Sequence, residues 1–212
     1  METIAGFFRD GGIFMYFILA VGVVGVAIIA DRVLSLIIRN KVDSHALWKK
    51  VSKHIADGDF DKARTACKGD APLLRTMEAA VSAAGRGEKE TQNAVDEASL
   101  ELIPTIDKRI HYLLTLANIS TLFGLLGTIH GLILAFSAVA SAEASQKSAL
   151  LATGISIALY NTAFGIGVAI VFLLMYSVLM SRANRLIDEL DAYSLKIVNM
   201  IGRSGKGGAK AD

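Results

Sequence analysis

The sequence has little cysteine and little proline, with one cysteine, Cys67, and two prolines among 212 residues. A single cysteine excludes an intrachain disulfide and any metal site built from several cysteines. Acidic and basic residues nearly balance, at 20 and 22, so the chain lacks the concentrated basic surface that nucleic-acid binding needs. It also lacks a P-loop, a GxGxxG motif and a His/Glu pair at metal-binding spacing. We therefore predict no catalytic residues, no metal, no cofactor and no nucleic-acid partner.

Charge is also missing from three long apolar stretches. Residues 13–30, 113–140 and 149–180 contain no Lys, Arg, Asp or Glu over 18, 28 and 32 residues, and the mean hydropathy of the chain is +0.48. A bilayer core of about 30 Å needs roughly 20 helical residues. We predict an all-α membrane protein with transmembrane helices at 13–38, 113–140 and 149–180. The second and third are longer than a bilayer requires and should extend into a cytoplasmic helical domain.

The distribution of Lys and Arg predicts the topology. Residues 39–112 contain 13 of them and residues 181–212 contain 6, with only three elsewhere. By the positive-inside rule, both segments are expected in the cytoplasm, whereas residues 1–12 and the loop 141–148 face outward. A cleaved signal peptide is the alternative for the first span. Because Glu2, Arg9 and Asp10 give its start no positive excess, a retained anchor is the preferred interpretation.

The segment 39–112 reads as short helices separated by turns. Ser44 is expected to cap a helix that ends near Ala56, and Asp59 to cap the next helix, at 60–67. Further helices are expected at 73–84 and from Glu88 onward, the last continuing into the second span with a kink at Pro104. The tail 202–212 is rich in Gly and Lys, so we expect it to be disordered.

Small residues recur at helical spacing in the two long spans. Helices in lipid associate by the close packing of such residues. The residues predicted to pack the two helices together are Gly124, Gly127 and Gly131 with Ala135 in the second span, and Gly154, Ala158, Thr162 and Gly165 in the third.

Polar side chains also lie in these spans, and no carboxylate accompanies them. The candidates are Thr128 and His130 in the second span, and Ser156, Tyr160, Asn161 and Thr162 in the third. A buried threonine can simply bond its own helix, whereas Asn161 is expected to bond across helices. His130 is a candidate proton relay or a neutral packing residue. It lies about 200° from Thr128 around the helix, so we expect it to contact a neighbouring helix or subunit.

Two charged residues lie at the end of the first span. Asp31 and Arg32 are expected to pair at the membrane interface, with Arg32 extended toward it.

Because residues 113–140 and 149–180 contain no acid, any group that titrates during proton movement would have to come from a partner.

Four segments together resemble the ExbB/TolQ/MotA proton-channel family. "LFGLLGTIHGLILAF" at 122–136 is similar to its GLxGTVxGxxxxF motif, and "GISIALYNTAFGIGVAI" at 154–170 to its GIxxALxxTAxGLxxAI motif. "ADRVLSL" at 30–36 and "GDFDKARTAC" at 58–67 resemble the family's first-span end and short cytoplasmic helix. The resemblance covers roughly residues 10–200. Three spans match the ExbB/TolQ branch better than MotA, which has four.

The resemblance implies a pentameric ring in the bacterial inner membrane around a single-span partner of ExbD, TolR or MotB type. The partner supplies an aspartate, and Thr128 and Thr162 match the two family threonines that face the pore. Proton flow would then drive mechanical work on the cell envelope, in TonB-type import, a Tol-type system or motility. A MotA-like flagellar or gliding stator and a non-conducting membrane scaffold are the alternatives, and the ion can be H⁺ or Na⁺. The chain has Ile157 where a glutamate is common and Val171 where a proline is common.

Overall fold

The computed structural model describes Phe8, residues 11–39 and residues 42–208, with only the backbone for residues 38–39 and 204–208. These residues form helices and connecting turns, with no strand among them. In chain order the helices are α1 (Ile13–Val33), α2 (Ser44–Ala56), α3 (Phe60–Ala66), α4 (Pro72–Ala83), α5 (Glu88–Ile106), α6 (Ile110–Ser141) and α7 (Lys147–Gly208). A π-helical stretch, Leu34–Arg39, follows α1, and a 3-10 turn, Ala84–Arg86, follows α4.

Three helical stretches in the described part of the chain are long and apolar enough to cross a membrane. They are Ile13–Ile37, Glu88–Ser141 and Lys147–Arg203, of 25, 54 and 57 residues. At about 1.5 Å per residue, the second and third exceed the thickness of a bilayer core. The predicted fold class, an all-α membrane protein with three spanning helices of which two are long, is confirmed.

The chain divides into two compact units. The first, which we call the span unit, comprises Met1–Asp31 and Arg109–Val178, and the second, the polar unit, comprises Arg32–Lys108 and Leu179–Asp212. Of the predicted N-terminal segment, residues 1–7, 9 and 10 lie outside the described residues.

In the span unit, α1 packs against both long helices through aromatic side chains. The Phe172 ring of α7 is almost fully buried and lies so close to Gly25 that a Cβ there would overlap it. The rings of Phe17 and Phe123 stack with centroids 5.5 Å apart. At the other end of α1, Asp31 forms an ion pair of 3.6 Å with Arg109. Aromatic and glycine packing therefore fixes α1 beside α6 and α7.

The polar unit has a hydrophobic core of its own. Its helices are amphipathic, with apolar residues recurring three or four positions apart on one face. The fully or nearly buried core residues are Val51, Ile55, Ala63, Cys67, Leu73, Met77, Ala80, Val81, Val95, Ile197, Val198 and Ile201. These residues come from α2 to α5 and from the C-terminal part of α7.

Helix starts in the polar unit agree with the sequence in one case and differ in another. Asp59 caps α3 by accepting a bond of 3.1 Å from the backbone N–H of Lys62, as predicted. The expected cap at Ser44 is wrong, because Asp43 caps α2 through the N–H groups of His45 and Ala46. Ser44 is the first helical residue, and its hydroxyl donates to Glu189 at 2.6 Å. Asp and Ser are both common helix N-caps, so the sequence offers Asp43 and Ser44. The Ser44 hydroxyl is engaged in its hydrogen bond to Glu189, and Asp43 is the cap.

The expected kink at Pro104 is a complete helix break. Pro104 lies inside α5, which ends two residues later at Ile106, and α6 begins at Ile110. Arg109, immediately before α6, has φ of +66°, the one positive-φ non-glycine residue in the part of the chain that the structure describes. The missing proline N–H weakens the last turn, and the left-handed conformation of Arg109 is incompatible with a continuous right-handed helix.

Two further expectations are wrong. Arg32 does not extend toward solvent, because it is only 7% exposed and Nη1 donates to the Thr105 carbonyl at 3.4 Å. That carbonyl lies in the last turn of α5, where backbone acceptors lack helical partners and attract cations. The tail is not disordered over 202–208, since α7 runs to Gly208, and residues 209–212 lie outside the described chain.

Candidate functional site

The helices α6 and α7 approach closely where the small residues meet. A Cβ placed on Gly131 would lie 2.9 Å from the Ala158 nitrogen, and one on Gly165 would lie 2.6 Å from the Ser120 carbonyl oxygen. Gly124 faces the backbone of Asn161, and Gly154 faces Ala135. All the residues predicted to pack these helices lie at this contact, and a side chain in place of hydrogen at Gly131 or Gly165 would separate the backbones.

At this close contact the hydroxyls of Thr128 and Thr162 meet directly in a hydrogen bond. Thr128 also has the carbonyl oxygen of Gly124 at 3.1 Å and that of Ala158 at 3.4 Å. Thr162 has the same two carbonyl oxygens, each at 3.4 Å. Two hydroxyls from different helices therefore share two backbone acceptors, one from each helix. We call this group the hydroxyl pair.

The hydroxyl pair can pass a proton along but cannot store one. Each hydroxyl has one proton and can accept while it donates, so one proton makes the direct bond and the other is donated to one of the two carbonyls. Both residues are partly exposed, and each hydroxyl oxygen has two lone pairs with which it can accept. The arrangement can therefore orient a proton or a small hydrated cation, and an acid for net titration must come from elsewhere.

Asn161, next to Thr162, is 1% exposed and bonds across the span unit, as the sequence predicted. Its Nδ2 donates to the carbonyl of Gly11 at 2.6 Å and to that of Ile157 at 3.0 Å. Its side chain lies against Gly127, where a Cβ would come within 2.5 Å. Its Oδ1 is buried and has no hydrogen-bond partner among the residues that the structure describes. Asn161 therefore holds helices in place beside the hydroxyl pair and is not part of it.

His130 faces α1. Its ring centroid lies 5.4 Å from that of Phe14, on a different side of α6 from Thr128. This contact with a neighbouring helix agrees with the angular offset read from the sequence.

The remaining candidates lie on other faces of α7. Ser156 and Tyr160 are about 120° and 160° from Thr162 around the helix, so the structure does not bring them to the hydroxyl pair. Of the two departures from the family motifs, Ile157 is partly exposed, and its carbonyl accepts from Asn161. Val171 is exposed and lines an apolar groove with Gly22 and Gly167.

The sequence reasoning did not single out Asn118 and Thr121. Both are exposed on α6, on the same side of the helix as Thr128. The sequence contained one signal for Asn118, because its carboxamide lies in the 28-residue stretch 113–140, which has no charged residue.

Neither a metal centre nor a reactive thiol is suggested by the described side chains. No group of three His, Cys, Asp or Glu residues among them could hold a metal ion. Cys67 lies in the core of the polar unit, where burial, with a smaller effect from Glu78, raises the pKa of its thiol to about 11. A thiol with that pKa is almost entirely protonated at neutral pH and therefore unreactive.

Comparison with known proteins gives several relatives. A putative biopolymer transport protein ExbB homolog of Methanothermobacter thermautotrophicus is 24% identical over 190 residues, 89% of this chain and 67% of that protein. The Tol-Pal system protein TolQ of Haemophilus influenzae is 30% identical over 57% of this chain and 53% of its own length. The biopolymer transport protein exbB1 of Vibrio cholerae is 39% identical over 42% of this chain and 39% of its own. The chain thus spans about two thirds of the first relative and about half of the second.

The family itself follows from a match to a family model. The model of the MotA/TolQ/ExbB proton channel family matches residues 68–192, which is more than half of the chain and includes the hydroxyl pair. The chain therefore belongs to the MotA/TolQ/ExbB proton channel family.

Proposed function

We propose that this chain is the channel-forming subunit of a proton-driven motor in the inner membrane of a bacterial-type cell. It works with a single-span partner of ExbD, TolR or MotB type, and together they couple the proton gradient to mechanical work on the cell envelope. Family membership supports the channel. The names of the relatives, which refer to biopolymer transport and to the Tol-Pal system, support the class of work.

The observation that carries the proposal is the direct bond between Thr128 and Thr162. A buried threonine needs only the carbonyl four residues earlier to satisfy its hydroxyl, and each of these has one. Packing alone therefore does not require two hydroxyls from different helices to meet. Such a contact does suit a proton path, because protons pass between oxygens in hydrogen-bonding contact.

The need for a partner follows from the absence of acidic residues in the two long spans. Residues 113–140 and 149–180 have no Asp or Glu, and the hydroxyl pair cannot take up a proton by itself. The titrating carboxylate therefore comes from a second polypeptide, as the aspartate of an ExbD-like span would. Two lone hydroxyls cannot surround such a helix, which favours a ring of copies of this chain. The family resemblance implies a pentamer.

The proposed topology has the N-terminus and the loop 141–148 in the periplasm, with 39–112 and 181–212 in the cytoplasm. The 19 Lys and Arg residues in those two segments, of 22 in the chain, support it.

Proton flux through the assembled complex tests the proposal. The complex, purified with its partner from native membranes, is reconstituted in liposomes that contain a pH-sensitive dye, and a potassium diffusion potential drives protons. Thr128→Ala and Thr162→Ala should each lower flux by at least about tenfold, the low end of what a positioned proton-transfer group contributes. Thr128→Ser and Thr162→Ser keep the hydroxyl and should conduct.

Thr153→Ala is the matched control. Thr153 is an exposed threonine of the same helix as Thr162, and among the described residues its hydroxyl bonds only the Ala149 carbonyl, at 3.0 Å, so flux should be unchanged. Undiminished flux in both alanine variants at the hydroxyl pair would overturn the proposed path. A wild-type complex that conducts no protons would instead identify a membrane scaffold.

A further inference from the structure

The helix α6 has three distinct faces in the span unit. One is the glycine ridge that packs on α7, and a second carries Phe123 and His130, which contact α1 through Phe17 and Phe14. The third carries Asn118, Thr121 and Thr128, which fall within about 80° of one another at 100° per residue, and the exposed Leu125 lies between Asn118 and Thr121. Thr128 lies at its edge, against α7, whereas Asn118 and Thr121 are exposed and neither α1 nor α7 covers them. We call these three residues the polar face.

Asn118 distinguishes the polar face from a lipid-facing surface. Its carboxamide carries two donors and an acceptor and makes no hydrogen bond to any residue that the structure describes. In hydrocarbon an unpaired amide is strongly disfavoured. Thr121 satisfies its proton on the Ala117 carbonyl at 3.1 Å, but its oxygen still accepts. Side chains of this kind require water or a polar partner in front of them.

The position of these residues along α6 connects them to the hydroxyl pair. At about 1.5 Å per residue, Thr121 lies roughly 10 Å and Asn118 roughly 15 Å from Thr128 along the helix axis. Both lie toward the Ile110 end of α6, which the topology proposed above places on the cytoplasmic side. A few water molecules would bridge each interval, with the amide and the hydroxyl orienting them.

We propose that Asn118 and Thr121 line a water-filled path that carries protons between the hydroxyl pair and the cytoplasm. The inference rests on the proposed function and adds the route on its inner side. No carboxylate is needed for this route, which fits a chain with Ile157 at the position where a glutamate is common. A proton arriving from the Thr128 side protonates the water chain, and another leaves it at the cytoplasmic end. The side chains therefore undergo no net change.

Accessibility of the polar face to water is the first test. In a Cys67→Ala background, single variants Asn118→Cys, Thr121→Cys and Leu126→Cys are treated with a charged methanethiosulfonate in membranes that contain the assembled complex. Leu126 is the matched control, since it lies between them and Thr128 in sequence, is 47% exposed, and points about 130° from the middle of the polar face. Only a thiolate in water reacts, so labelling at 118 and 121 should be at least about tenfold faster than at 126.

Proton flux in the same liposomes is the second test. Asn118→Leu with Thr121→Val should lower flux by about tenfold or more, whereas Asn118→Gln, which keeps the amide, should retain it. Labelling at 118 and 121 as slow as at 126, or full flux in the Leu/Val variant, would overturn the inner route. If Thr128→Ala still abolishes flux in that case, the proposed function stands and only this inference fails. If Thr128→Ala and Thr162→Ala both conduct normally, the path through the hydroxyl pair is wrong, and if the wild-type complex conducts no protons, the proposed function itself is wrong.

Discussion

The side-chain amide of Asn161 donates a hydrogen bond of 2.6 Å to the carbonyl oxygen of Gly11, 150 residues earlier in the chain. Gly11 precedes Gly12, whose φ of +77° forms the turn from which α1 starts. The same amide rests on Gly127 of α6. One side chain on α7 therefore joins the beginning of α1 to both long helices, one residue away from the Thr162 hydroxyl.

Replacing Asn161 should weaken the span unit. Asn161→Ala removes both bonds of Nδ2 and leaves the Gly11 carbonyl without this donor, at a cost of about 1–3 kcal/mol in the free energy of unfolding. Calorimetric unfolding of the protein in lipid nanodiscs measures the change. Asn199→Ala is the control, since Asn199 is an exposed residue of the same helix and its removal should change stability by less than about 0.5 kcal/mol. Equal effects of the two variants would show that the bond to Gly11 contributes nothing.

Gly25 and Gly22 form a matched pair on α1. A methyl group at Gly25 would overlap the ring of Phe172, whereas one at Gly22 would meet no atom within 4 Å. Gly25→Ala should therefore destabilise the span unit by about 1–3 kcal/mol through overpacking. Gly22→Ala should be neutral or stabilising by up to about 1 kcal/mol, because alanine is the better helix former. The same unfolding measurement applies to both variants.

A second substitution separates overpacking from other effects of the Gly25 change. Phe172→Leu removes the ring edge that the new methyl group would meet, so stability lost in Gly25→Ala should be partly restored in the double variant. The two single changes would then be non-additive, as expected for residues in contact. Strict additivity would argue against the contact between Gly25 and Phe172.

Much of the fold could be predicted because it depends on composition over long stretches. A bilayer core excludes unpaired charge, so runs of 18 to 32 residues without Lys, Arg, Asp or Glu identify membrane spans without tertiary information. Gly124, Gly127 and Gly131 could also be placed together from the sequence, because helical periodicity alone puts them on one face. The motif resemblance then pointed to Thr128 and Thr162.

Other features depend on contacts between distant residues and could not be predicted. The bond from Asn161 was expected to cross helices, but its acceptor, Gly11, is a backbone carbonyl with no sequence signature. Arg32 was expected at the interface and is buried, because a helix-terminal carbonyl of α5 accepts its hydrogen bond. Asn118 was overlooked, since a single amide in an apolar run has meaning only when its face of the helix is known.

The backbone at Arg109 allows a test of the break between α5 and α6. With φ of +66° and ψ of −6°, this residue holds a conformation that glycine adopts freely and a β-branched residue adopts only with strain. Arg109→Gly and Arg109→Val both remove the ion pair with Asp31. The difference between their free energies of unfolding therefore measures the cost of the left-handed backbone conformation. The valine variant should be less stable than the glycine variant by about 1–2 kcal/mol in the calorimetric measurement.

The comparison with the wild type then gives the contribution of the ion pair. Both side chains are about half exposed, at 51% and 47%, and pairs of this kind contribute about 0–1 kcal/mol. The glycine variant should therefore lie within about 1 kcal/mol of the wild type, because relief of strain offsets the lost pair. Equal stability of the glycine and valine variants would mean that residue 109 is not left-handed in the folded protein. In that case α5 would continue into α6 as the kinked helix that the sequence predicted.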